Sequence, residues 1–320
     1  MNMQPIIPPV SRVLIKEELT RDRFVRYTSR GENELYDVTA AEAPNTMREI
    51  GRLREIAFRA AGGGTGLACD IDEYDTAHDC PYHQLVVWSP KTEEFLGGYR
   101  YIYGPSAQPQ HLATFPIFHF SETFVSRFLP VTIELGRSFV QPNYQNSNDN
   151  RSGMYALDNL WDGLGALIVR FPNIKYFFGK VTMYRSYNQQ ARNCLLFFLN
   201  KYFPDKENLV SPITPLDINL ENPYFSDLFS ANEYDQDYKI LCQELRAYGE
   251  RVPPLINSYM RISPNMRVFG TTLNPHFGDV EETGILITVN DMYPDKVGRH
   301  MTPLKHFAEK VRLRWWKRGF

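Results

Sequence analysis

The chain has 320 residues, 43% hydrophobic and 22% charged, with a formal net charge of −2. That length buries a sizeable core in one large domain or two small ones, and so even a charge balance gives no global field to draw nucleic acid. The four cysteines lack a C-x-x-C spacing, which argues against a metal knuckle or a disulfide framework. No apolar run reaches the ~18 residues of a membrane span, prolines interrupt the opening "MNMQPIIPPV" where a secretory leader would be apolar, and a cytoplasmic protein is expected.

Residues 1–43 read as an N-terminal arm, in which "VLIKEEL" and "DRFVRYTS" suit a short helix or strand laid on the main body. Helical periodicity starts near Thr46. Thr46 and Glu49 have the spacing of a capping box, and Met47, Ile50, Leu53, Ala57 and Phe58 recur every three or four residues. The glycines of "AAGGGTG" should end that helix. After the acidic stretch "CDIDEYD", the segments "HQLVVW" and "EFLGGYRYIY" flank "SPKTE" as a β-hairpin. "PVTIELGRSFV" reads as a third strand, followed by a polar loop and a helix from about Met154 to Phe171. "IKYFFGKVTM" is a strand, "YNQQARNCLLFFLNKYF" and "QDYKILCQELRAY" are helices, and "NMRVFGTT" and "GILITVN" are two late strands. This order predicts an α/β domain over residues 44–295 with a mixed sheet, followed by a basic, aromatic tail over residues 296–320. The aromatic content of 14% suits a Phe-rich core or an apolar channel.

Arg100 sits in the middle of the apolar run "FLGGYRYIYG". A buried guanidinium is costly unless carboxylates meet it. Asp70, Asp72 and Asp75, spaced D-x-D-x-x-D, and Glu134 in "IELGR" are the candidate partners, balanced by Arg54, Arg100 and Arg137 in an ionic cluster at one edge of the sheet. Glu134 and Arg137 are three residues apart, so a bulge at Leu135–Gly136 would be needed to bring them to one side of a strand. The acidic segment itself has three readings: oxygen ligands for a divalent cation, a solvated turn, or an ion network that organises substrate. His78 and His83 flank Cys80, but no paired ligands stand at standard spacing, and no metal site is expected.

Four pieces stand in order: Leu53-Arg54…Phe58, Asp70-x-Asp72-x-x-Asp75, Gly97-x-x-Arg100 and Glu134-x-x-Arg137-x-x-Val140. This constellation resembles the acyl-homoserine-lactone-synthase-like branch of the GNAT N-acyltransferases. Within it, the chain is most similar to the hemolysin-like amino-acid N-acyltransferases of ornithine-lipid and glycine-lipid synthesis, including the commendamide-type N-acylglycine synthases. "FGKVTM" and "VPPLINSYMRISPNMRVFGTTLNPHFGDVEETGILI" extend the likeness. The chain departs from the pattern at Asp70, where the lactone synthases carry Glu, at Phe139, where Cys is usual, and at Asn274-Pro275-His276.

The resemblance implies a splayed mixed sheet flanked by helices. It implies transfer of a long-chain, 3-hydroxylated fatty acyl group from acyl carrier protein to the α-amine of glycine. Ornithine is an alternative acceptor and would require Asp72 or Asp75 to be free for its second amine. An S-adenosylmethionine-using lactone synthase and a non-catalytic carrier-binding protein are further alternatives. No resident cofactor is implied, and the match of Arg151-x-Gly153-x-x-Ala156 to a pyrophosphate loop is too poor to favour acyl-CoA over the carrier thioester. Catalysis falls to Glu134, Arg137, Phe139 and Val140. Glu134 would be the base, directly or through water, or else would pair with Arg100 or Arg137, and a backbone amide around Phe139–Gln141 would meet the thioester oxygen. Arg54, Phe58, Asp70, Asp72, Asp75 and Arg100 fall in the substrate site, with Arg100 or Arg137 offering a fork for the amino-acid carboxylate. Between Arg299 and Phe320 there are seven Lys/Arg against one Glu. There Lys310, Arg312, Arg314, Trp315, Trp316, Lys317 and Arg318 suit an acidic carrier protein or an anionic membrane surface on the cytoplasmic side, or simply a solvated helix end.

Overall fold

A computed structural model describes residues 3–145, 151–218 and 223–292. Residues 1–43 supply helix α1 (Arg12–Glu18) and strands β1 (Phe24–Tyr27) and β2 (Glu34–Val38). Helix α2 (Pro44–Ala60), the one-turn helix α3 (Glu73–Thr76) and the hairpin β3 (His83–Ser89) and β4 (Glu94–Tyr103) follow. Next come β5 (Phe118–Phe120), β6 (Thr132–Val140), α4 (Arg151–Arg170), β7 (Tyr176–Met183), α5 (Gln189–Tyr202) and β8 (Val210–Pro212). The described chain closes with α6 (Pro223–Leu228), α7 (Tyr234–Ala247), α8 (Pro254–Ile262), β9 (Arg267–Asn274) and β10 (Val280–Thr288).

Eight strands form one sheet in the order β1-β2-β3-β4-β6-β7-β10-β9, and β5 pairs with β8 apart from it. Within the large sheet β6 and β7 run parallel and the other pairings are antiparallel. This is the mixed sheet flanked by helices that the sequence predicts. Strand β2 was not anticipated, because Glu34 and Asp37 give it the look of a loop. Its Asp37 side chain is 8% exposed and is compensated by Tyr101, His83 and Arg170. Together β1 and β2 extend the edge of the sheet.

The capping box expected at Thr46 and Glu49 does not form. Helix α2 begins at Pro44, a residue suited to a first turn because its missing N–H has no intrahelical partner there. The amides of Asn45 and Thr46 donate to Glu18, at 3.0 and 2.7 Å. Burial pushes the Glu18 carboxyl up, but those hydrogen bonds outweigh it and leave the pKa below the ordinary value. Glu49 instead accepts from the Val10 amide and from Arg52.

Strand alternation divides the core. One face of the sheet packs Leu85, Tyr99, Ile133, Phe177 and Val181 against α4, α5 and α7. The other face carries two separate apolar clusters. One joins α1 and α2 to Val86, Trp88, Phe95 and Phe139, and the other gathers Tyr82, Ile102, Phe118, Phe124 and Phe178. The charged residues of the motifs meet on this second face.

Candidate active site

β6 positions the site. Its pairing with β7 runs only from Thr132/Tyr176 to Leu135/Gly179. Beyond that point Gly136–Val140 pairs with β4 alone and Lys180–Met183 with β10 alone, so the sheet splays. On its β4 side, β6 carries a bulge. Arg100 stands opposite Gly136 and Gly98 opposite Phe139, which leaves Arg137 and Ser138 together across from Tyr99. The bulge thus falls just after the expected Leu135–Gly136. Arg137 adopts φ +49°, a left-handed conformation that costs a non-glycine residue about 1–2 kcal/mol. Gly97 of the G-x-x-R motif is explained by the same feature. A Cβ there would lie 2.4 Å from the Phe139 carbonyl oxygen.

The ionic cluster forms, at the centre of the sheet rather than at the expected edge, since β4 and β6 are its middle strands. Arg100 Nη1 donates to Asp72 Oδ1 at 2.6 Å and pairs with Asp75 Oδ1 at 3.1 Å. Arg54, fully buried on α2, donates from Nη1 to Asp75 Oδ2 at 3.0 Å and from Nη2 to Gln84 Oε1. The Gln84 amide in turn donates to Asp75 Oδ1 at 2.9 Å. Arg137 Nε pairs with Asp70 Oδ2 at 3.0 Å, and Nη2 lies 3.6 Å from Asp72 Oδ2. Asp72 also caps α3 through the amides of Tyr74 and Asp75. Asp70 and Asp75 are buried, so the segment is no solvated turn; it is an ion network. Burial pushes Asp75 up, but Arg54 and Arg100 outweigh it and hold its carboxyl far below the ordinary range. At Asp70 burial wins over Arg137 and the pKa is raised. Among the described residues no group of three or more His, Cys, Asp and Glu side chains could hold a metal.

Glu134 does not pair with Arg100 or Arg137, whose ion pairs go to the aspartates. Its Oε1 accepts from the Tyr82 hydroxyl at 3.0 Å and its Oε2 from Thr114 Oγ1 at 3.1 Å. It is 2% exposed. Burial raises its pKa to about 7, against the pull of Tyr82, Thr114, Arg100 and Lys180. Tyr82 links the two halves of the site, because its ring lies under the Arg100 guanidinium, 4.8 Å from its centroid.

The remaining predicted residues fall into place by packing. Phe58 meets Phe277 edge-on at 5.0 Å, and Phe277 lies 4.3 Å under the Arg137 guanidinium. Phe139 is buried against α2, and Val140 packs into the opposite core. The Gln141 amide donates to Leu96 O at 3.0 Å, which removes it from the expected oxyanion donors. Asn274, where the chain departs from the family pattern, donates to Glu282 at 3.2 Å. Lys310, Arg312, Arg314, Trp315, Trp316, Lys317 and Arg318 lie outside the described residues. Tyr82, Gln84, Thr114, Lys180 and Glu282 were missed by sequence reasoning. For Lys180 a signal existed: like Arg100, it is a lone cation inside an apolar strand. Thr114 sits in a loop and gave none.

Three comparisons bear on this geometry. The acetyltransferase (GNAT) domain family matches residues 53–151, the span from the middle of α2 to the start of α4. The chain is 54% identical over 317 residues to a glycine N(alpha)-acyltransferase of Phocaeicola vulgatus, covering 97% of each chain. It is 55% identical over 304 residues to a glycine N(alpha)-acyltransferase of Bacteroides thetaiotaomicron, covering 93% of this chain and 90% of that one. No solved structure matches. More than half of the residues are shared along nearly the whole of both relatives, over a splayed sheet with a buried carboxylate beside its opening. On that ground the protein belongs to this family of acyltransferases built on a GNAT domain.

Proposed function

We propose that the protein transfers a long-chain, 3-hydroxylated fatty acyl group from acyl carrier protein to the amine of glycine, releasing N-acylglycine and the carrier thiol. The observation that carries the mechanism is Glu134, a buried carboxyl whose pKa lies at about 7, the value at which a carboxylate both exists at neutral pH and takes a proton readily. Glu134 removes one proton from the glycine ammonium, and the amine attacks the thioester carbonyl carbon. The C–N bond forms as the C–S bond breaks. Backbone N–H groups at the β6 bulge face the charge that builds on the carbonyl oxygen. The second amine proton goes to the departing thiolate, and Glu134 returns its own to solvent.

Glycine is supported by the names of both relatives. It is also supported by the occupancy of the acids: Asp72 and Asp75 are both held by arginines, which leaves neither for the second amine of ornithine. The carrier thioester and the 3-hydroxy group rest on the family resemblance. The basic tail, Lys310 to Arg318, is the surface we assign to the carrier protein or to anionic lipid. Among the described residues no helix is long and apolar enough to cross a membrane.

The test combines purified protein, 3-hydroxypalmitoyl carrier protein, and glycine or ornithine, and follows thiol release with product mass. Glycine-dependent release with an N-acylglycine product is expected. Release with ornithine alone, or none with either acceptor despite carrier binding, overturns the reading. Removing residues 309–320 should weaken binding to carrier protein or to anionic liposomes; no change in either removes the tail from the mechanism.

A further inference from the structure

A second charged pair stands across the splay from Arg100, and the acyl-transfer step above makes no use of it. Lys180 on β7 is ion-paired with Glu282 on β10, with side-chain exposures of 14% and 1%. Glu282 is fixed by further contacts, accepting from Asn274 Nδ2 at 3.2 Å and lying 3.5 Å from Thr182 Oγ1. An ammonium carries three donors, and among the described residues Glu282 is the hydrogen-bond partner of Lys180.

Strand register places this lysine. Glu134 is opposite Phe178, so with a period of two Lys180 shares the face of Glu134. Arg100 is opposite Gly136, and Ile102 is opposite Glu134, which puts Arg100 on that face as well. The three side chains are close enough for the charge of Lys180 to act on Glu134 and that of Arg100 on Lys180. Between them lies Gly136, without a side chain. A Cβ built on it would meet only Arg100, 3.6 Å from Nε and 3.7 Å from Cγ, which is ordinary contact distance. Arg100 Nε, on the border of that space, is buried without a hydrogen-bond partner. Gly136 is itself half-buried, so the strip over it is reachable from solvent, bordered by two cations, and adjacent to the carboxylate that takes the amine proton.

We propose that Lys180 binds the carboxylate of the acceptor amino acid in the open strip over Gly136, with Arg100 Nε as the second donor. The arrangement orients an α-amino acid, since the carboxylate on Lys180 turns the amine toward Glu134. Of the forks expected for this role, Arg100 is held by Asp72 and Asp75 through Nη1, and Arg137 by Asp70 through Nε and by Asp72 through Nη2, so each is already committed in part to the aspartates. A buried Lys–Glu pair adds little stability over apolar side chains of similar size, so its position in the splay is better accounted for by a ligand than by folding.

This assignment rests on the N-acylation reading, and glycinamide separates the two, because it keeps the amine and lacks the carboxylate. The wild-type enzyme is expected to favour glycine over glycinamide about 100-fold in kcat/KM. Compared above the pH limb of Glu134, Lys180→Met should lower kcat/KM for glycine, mainly through KM, about 100-fold more than for glycinamide, and so erase the preference; Lys180→Arg should restore part of it. These magnitudes correspond to about 3 kcal/mol for a charge-assisted contact. Because Lys180→Met leaves Glu282 unpaired, the double variant Lys180→Met/Glu282→Gln carries the test if the single one does not fold. An equal loss with both acceptors, or a wild-type enzyme indifferent to the carboxylate, overturns the assignment while leaving N-acylation intact. Absence of any glycine-dependent thiol release in the wild type would instead be a failure of the underlying reading.

Discussion

Glu134 is the residue on which chemistry and pH meet. Its pKa of about 7 and its proposed role as base predict that kcat/KM rises with pH through about 7. Glu134→Gln should lower kcat by about 10²–10⁴-fold, the usual contribution of a positioned base, and flatten that limb in a pH–rate profile. Tyr82→Phe gives a finer test. The Tyr82 hydroxyl bonds the carboxylate and pulls its pKa down, so its loss should move the limb to higher pH without abolishing turnover. A limb that stays in place would separate Tyr82 from the base. Of the residues involved, Glu134, Arg100 and Arg137 were legible, because charge inside an apolar strand stands out. Tyr82 and Thr114 were not, because a tyrosine at a strand start and a threonine in a loop are ordinary in sequence and acquire meaning only by facing a carboxylate.

At the scale of elements, the bulge and the splay do what no single side chain does. The bulge turns Arg137 toward Asp70 and Asp72, and the splay opens the ground between β6 and β7 that a continuous sheet would fill. Gly97 is the element-level requirement. In Gly97→Ala the added Cβ would fall 2.4 Å from a backbone carbonyl, which cannot move without disturbing the bulge. We expect a loss of about 1–3 kcal/mol in urea denaturation, the range for overpacking, together with reduced turnover; an unchanged midpoint would show that the bulge yields easily. The sequence announced the need for a bulge, since Glu134 and Arg137 would otherwise face apart, and misplaced it slightly. Register is set by the partner strand, which local spacing does not contain.

For the whole molecule, two carboxylates pull stability in opposite directions with pH. Asp75 has a depressed pKa. Its contribution is full above its unfolded value near 4 and is lost as pH falls below it. Glu134 has a raised pKa. The folded state then holds more protons than the unfolded state between about pH 4.5 and 7, so stability falls as pH rises across that window, by about 3 kcal/mol in all. Thermal melts should show Glu134→Gln close to wild type at pH 5 and more stable at pH 8. Equal melting temperatures at both values would mean that the carboxyl is not destabilised by burial. A gain in stability paired with a loss of activity is the expected mark of a strained catalytic position.

The sequence by itself determined the class of fold, the order of most elements, and which charges had to find one another, because apolar periodicity and the cost of a buried guanidinium are local and compositional facts. The tertiary structure alone decided the rest. Asp75 became shared between two arginines, Glu134 was left to two hydroxyls, Glu18 of the first helix became the cap of the second, and Lys180 came to stand across Gly136 from Arg100. Each depends on strands and helices far apart in the chain being brought into one register, and the free energy of a buried charge is set by those neighbours rather than by its own place in the chain.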